Sequence, residues 1–137
     1  MFFRRRMLPS VLEASRRAFH DLLPDLEEAR SALLASVPGT RLPGRPLAEA
    51  LLEFEEGLKR VRTRMETWRI PEVQDAWTRA SEGLNESIEQ AERVRLSASS
   101  PTGFEELIGL VGDLLAPLEA FGDAAERFRE LRLRRRS

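Results

Sequence analysis

Apolar residues recur along most of the chain at alternating steps of four and three. The cleanest run is Leu47, Leu51, Phe54, Leu58, Val61, Met65 and Trp68. An earlier run reads Leu8, Leu12, Ser15, Phe19, Leu22, Leu26, Ala29 and Leu33. A third reads Val73, Trp77, Ala80, Leu84, Ser87, Ala91 and Val94, widened by Ala76 and Ile88. The fourth is Leu107, Val111, Leu114, Leu118, Phe121, Ala125 and Phe128. A 3.5-residue repeat keeps one stripe turned toward a partner helix along its whole length. No stretch alternates with period two, so no strand is predicted.

Proline, glycine and serine separate the runs. Pro9-Ser10 opens the first, Val37 to Pro46 form a Pro/Gly loop, Pro71 makes a tight break, and Ser97 to Gly103 form a second loop. Four long amphipathic helices joined this way predict an all-α, antiparallel up-down-up-down four-helix bundle, roughly 35–45 Å long. The 137 residues suffice for one domain, 1–137, with 1–8 and 134–137 as basic, flexible tails. Long helical hairpins that pair between two chains are the architectural alternative. Pro24 and Pro117 fall inside helices, yet the apolar phase continues through both, which predicts kinks. Pro24-Asp25-Leu26-Glu27-Glu28 also has the form of a fresh helix start, so a true break there is the other reading. Thr102 and Glu105 have the spacing of a capping box.

Composition then removes whole classes of chemistry. There is no cysteine, so no disulfide or thiolate metal site is expected. With His20 as the single histidine, a di-iron carboxylate bundle, which needs Glu-x-x-His twice, is excluded. His20 reads as a boundary residue beside Phe19. Glu53, Glu55, Glu56, Glu86 and Glu89 lie off the stripes and read as a solvated helix face. Gly109 and Gly112 have no following lysine and lie within a helical pattern, so they suit close packing rather than phosphate binding. No metal or cofactor is expected, and the reading is non-enzymatic. No apolar run approaches the ~20 residues of a membrane span. Met1-Phe2-Phe3-Arg4-Arg5-Arg6 lacks a secretory h-region, which makes a cytoplasmic location the expectation, with peripheral membrane contact left open.

Charge changes the picture most. The net charge is only −1. In the antiparallel topology, however, residues 1–17, 58–80 and 120–137 share one half and carry +10, while 18–57 and 81–119 carry −11. Arg4, Arg5 and Arg6 stand at a helix start, where positive charge opposes the helix dipole. Together with Arg132, Arg134, Arg135 and Arg136 they form the candidate anionic-surface site, and Phe2 and Phe3 beside them form a candidate membrane wedge. Trp68 and Trp77, on the stripes, read as plugs of the core at this end. The functional expectation is a helical-bundle interaction or adaptor protein whose arginine-rich end contacts an anionic surface or a protein partner. One alternative is nucleic-acid binding by the same end, opposed by the −11 half. Another uses Pro24, Gly57, Gly83 and Pro117, which fall at one height and suggest a mid-bundle cavity for a small hydrophobic ligand. Monomer and homodimer are equally open, since the Ala/Ser stretch of the third stripe (Ala80, Ser87, Ala91) leaves a thin patch that a second copy would cover.

Overall fold

The chain forms helices wherever the 3.5-residue stripes run. In the computed structural model, which describes residues 2–39, 43–97 and 100–136 (side chains of 2–9, 135 and 136 excepted), these are α1 (Phe2–Leu34), α2 (Leu47–Thr63), α3 (Gln74–Leu96), α4 (Phe104–Leu115) and α5 (Ala120–Arg136). Short 3₁₀ turns, Met65–Trp68 and Pro71–Val73, carry the chain from α2 to α3. A third, Ala116–Glu119, joins α4 to α5, so the two make a single rod with one tightened turn. The described residues contain no strand.

Contacts between the helices occur in strictly antiparallel order. Along α1 and α2, Ser15 meets Trp68, Asp25 meets Arg64, and Ala29 meets Gly57. Along α2 and α3, Glu55 meets Arg95 and Arg62 meets Asn85. Along α3 and the fourth rod, Ser87 meets Leu114 and Gly83 meets Pro117. Phe19 meets Phe128, and Arg30 reaches Leu118, closing the ring of four. This is the up-down-up-down bundle that the stripes predict. Residues 2–8 and 134–136, expected as tails, are the terminal turns of α1 and α5.

The core follows the stripes closely. Phe19, Leu22, Leu26, Leu33, Leu51, Phe54, Leu58, Val61, Leu84, Leu114, Leu118, Phe121 and Phe128 are all buried. Each removes on the order of 1.5–3 kcal/mol worth of apolar side chain from water. Aromatic rings concentrate at the end that holds the two chain termini. Phe19 lies edge-on to Trp68 at 4.9 Å, and Phe128 packs against both, at 5.2 and 5.9 Å. Trp68 is the plug expected. Trp77 instead lies at the core's edge, its Nε1–H donating to the Met65 carbonyl (2.8 Å) beneath the Arg69 guanidinium (4.1 Å). In the last stripe, between the buried Phe121 and Phe128, the chain buries Ala124 fully and Ala125 only in part, since steps of three and of four both fall on the core face.

The prolines behave differently from one another. α1 is α-helical straight through Pro24, so the break considered there is absent. Pro117 falls in the 3₁₀ turn, and nearby carbonyls take outside partners: Ser87 Oγ–H donates to Leu114 (2.8 Å), and Arg30 Nη2–H to Leu118 (3.4 Å). The mid-height glycines do not open a waist. A Cβ on Gly57 would lie 2.8 Å from that of Ala29, and one on Gly83 would run into the Pro117 carbonyl. Both positions are glycine because a neighbouring element occupies the space, so the expected weak points are sites of close approach.

Two further expectations need correcting. Glu55 is not on a solvated face. It is 1% exposed and accepts two hydrogen bonds from Arg95, at 2.6 and 3.1 Å. α2 lies between α1 and α3 and buries a wide arc that includes Ala50, Glu55 and Gly57 beside its stripe. The capping residue at α4 is also shifted by one. Gly103 is the N-cap, and Glu106, not Glu105, accepts from the Thr102 N–H and hydroxyl, both at 2.9 Å.

Candidate anionic-contact surface

The antiparallel order brings the start of α1, the α2–α3 turn and the end of α5 to one end of the bundle. Ser15 Oγ–H donates to the buried Trp68 carbonyl (2.6 Å), fixing α1 to that turn. Arg127 Nε–H donates to the Glu72 carbonyl (3.3 Å), fixing α5 to it as well. The segments carrying +10 therefore gather opposite those carrying −11.

Much of the local positive charge is held by neighbouring acids. Glu13 ion-pairs with Arg16 and lies within 4.0 Å of Arg17. Its carboxyl is held below the usual carboxylate range, chiefly by the Arg16 hydrogen bond, with the charges of Arg16, Arg17 and Arg132 adding to it. Arg64 donates to Asp25 (3.1 Å) and to the Asp21 carbonyl (3.2 Å). Arg69 is shared by Glu66 and Gln74 (3.1 Å each) and covers Trp77. Arg127 pairs with Glu130 and Arg129 with Glu126, at 3.4 and 3.8 Å. Exposed pairs of this kind contribute at most about 1 kcal/mol each and yield readily to a competing anion. Lys59, Arg60 and Arg79 are exposed and have no acid within ion-pair distance among the described residues.

Of the residues singled out from sequence, Arg132 and Arg134 are exposed on the last turns of α5. Arg4, Arg5 and Arg6, with Phe2 and Phe3, belong to the first turns of α1, and Arg135 and Arg136 to the end of α5. The side chains of these seven lie outside the described residues. Arg79 was not singled out. It joins Arg127, Glu72 and Asp75 around a cleft of about 310 Å³ beside the Pro71 turn. The sequence gives no sign of this, because Arg79 and Arg127 meet only through the fold. His20 is exposed, with its ring 5.9 Å from Phe19, the boundary position expected. The described residues contain no metal-binding cluster of His, Cys, Asp or Glu and no helix long and apolar enough to cross a membrane.

These features define an all-α antiparallel bundle with its formal charge divided between its two ends. No protein-family model, curated protein or solved structure matches the chain.

Proposed function

We propose that the protein is a non-enzymatic interaction module whose arginine-rich end docks on an anionic membrane surface from the cytoplasmic side. One observation carries the reading: the fold gathers +10 at one end of a molecule whose net charge is −1. Near an anionic bilayer each basic residue contributes about 1 kcal/mol, and an apolar wedge adds burial at the interface. Arg4, Arg5 and Arg6, with Arg132, Arg134, Arg135 and Arg136, supply the charge, and Phe2 and Phe3 the wedge.

Co-sedimentation with anionic vesicles across a salt series tests this. Replacing Arg4, Arg5 and Arg6 with alanine is expected to weaken binding and flatten its salt dependence. Replacing Phe2 and Phe3 with serine is expected to weaken binding and leave the salt slope alone. Binding to duplex DNA that ignores the phenylalanines would instead favour nucleic acid, where phosphate contacts dominate. Absence of binding to both at physiological salt would refute an anionic partner.

A further inference from the structure

α4 is the least covered helix of the bundle. Only Val111 and Leu114 are buried among its twelve residues, while Phe104 is 54% and Ile108 46% exposed. The rod that α4 makes with α5 also carries three exposed glycines, Gly109, Gly112 and Gly122. Glycine weakens a helix interior relative to alanine. At Gly57 and Gly83 close packing explains it, but nothing lies within 4 Å of where a Cβ would stand on these three.

The charges on this rod say what covers it. Its first part, 104–119, holds Glu105, Glu106, Asp113 and Glu119 and no basic residue. Its second part, 120–136, holds six arginines against Asp123, Glu126 and Glu130. The whole molecule repeats this division. A surface acidic in one half and basic in the other is complementary to its own copy turned end for end, which is the requirement for an isologous two-fold contact.

We infer that the α4–α5 rod is a homodimerisation surface, on which a second copy docks antiparallel about an axis near Glu119 and Ala120. α4 of each copy then lies along α5 of the other. Asp113 faces the stretch bearing Arg127, Arg129 and Arg132, while Glu105 and Glu106 lie toward Arg134 at the end of α5. Ile108 comes opposite Leu133 of the second copy, the large apolar residue of α5 that is 57% exposed. Gly109 and Gly112 leave room for the arginine stems. This contact draws on Arg132 and Arg134, which the anionic-surface proposal also uses, but on neither Arg4 to Arg6 nor the phenylalanines, so different variants test the two.

The absence of cysteine makes the test clean. Ile108→Cys and Leu133→Cys each introduce a single thiol at an exposed position. In the antiparallel pair, identical positions are separated by about 37 Å, far beyond the ~4.4–6.8 Å Cα span of a disulfide. Mild oxidation of an equimolar mixture of the two variants is expected to give covalent dimers, and oxidation of either variant alone none. Sedimentation velocity of the unmodified protein is expected to show a dimer at low salt that weakens several-fold as salt rises. A monomer at all concentrations, cross-linking of either variant alone as efficiently as the mixture, or a dimer indifferent to salt would each overturn the inference.

Discussion

Replacing Gly83 with alanine adds one methyl group where α3 lies directly against the fourth rod. The new Cβ would lie 3.1 Å from the Pro117 carbonyl carbon and closer still to its oxygen. Those atoms belong to the backbone of the 3₁₀ turn and cannot rotate aside as a side chain would. The rods must separate, and the nearby Ser87–Leu114 hydrogen bond must lengthen with them. Overpacking of this kind costs about 1–3 kcal/mol, and a weakened buried hydrogen bond about 1 more. Against this, alanine gains roughly 1 kcal/mol over glycine in a helix interior. The net expectation is a loss of about 1–3 kcal/mol, or a fall in Tm of roughly 3–10 °C for a chain of this size. Gly112→Ala is the matched control, since its methyl group enters open space. It is expected to stabilise by about 0.5–1 kcal/mol. Urea and thermal denaturation followed by far-UV circular dichroism, in high salt so that association does not contribute, reads both. Gly83→Ala as stable as the parent, or both variants shifting Tm upward, would refute the packing argument.

Arg95→Ala is expected to lower Tm by several degrees, and by more than Glu55→Gln. Removing the arginine strands a carboxylate that is 1% exposed, whereas glutamine keeps a neutral, hydrogen-bonding group there. Replacing both with leucine is expected to restore most of the loss in the same melting assay. At α4, the Thr102 N–H foremost, and then its hydroxyl, hold the Glu106 carboxyl below the usual range. A carboxyl lowered by folding contributes stability that is present above its unfolded pKa of about 4.3 and is lost as pH falls through the folded value. NMR titration is expected to place the Glu106 midpoint below that of an unstructured glutamate. Thr102→Val, which keeps the N–H, is expected to raise it only part of the way, and a full return would assign the effect to the hydroxyl.

The helices and nearly all of the core were legible because burial on one side of a helix imposes a period on the sequence. Ser15 and Ser87 were placed correctly on their stripes, although neither is apolar, because their neighbours fixed the phase. Glu55 was misread for a reason of geometry. Its position is off the 3.5-residue stripe, and only the fold reveals that α2 is flanked on two sides and buries a wider arc. The shift from Glu105 to Glu106 has a similar origin, since Gly103 is fully extended (φ −159°) and starts the helix one residue later than the threonine suggests. The level of Gly57, Gly83 and Pro117 could be counted along the chain, but whether the space beside them is empty or filled is a property of the neighbouring helix. The charge division needed only the helix order, whereas the meeting of Arg79 with Arg127 needed the fold.

The division of charge also gives the molecule a direction. About ten unit charges of each sign, with centres some 20 Å apart, amount to a dipole moment on the order of 1,000 D, against ~3.5 D for one peptide unit. The helix dipoles themselves largely cancel, two pointing each way. An antiparallel pair cancels this moment, whereas a single copy feels a turning force in any field before it feels a net pull. Approaching a charged surface, it arrives end-on, aligned within the ~8 Å over which physiological salt leaves the field unscreened. Orientation, more than attraction, is what the arrangement of its arginines and glutamates supplies.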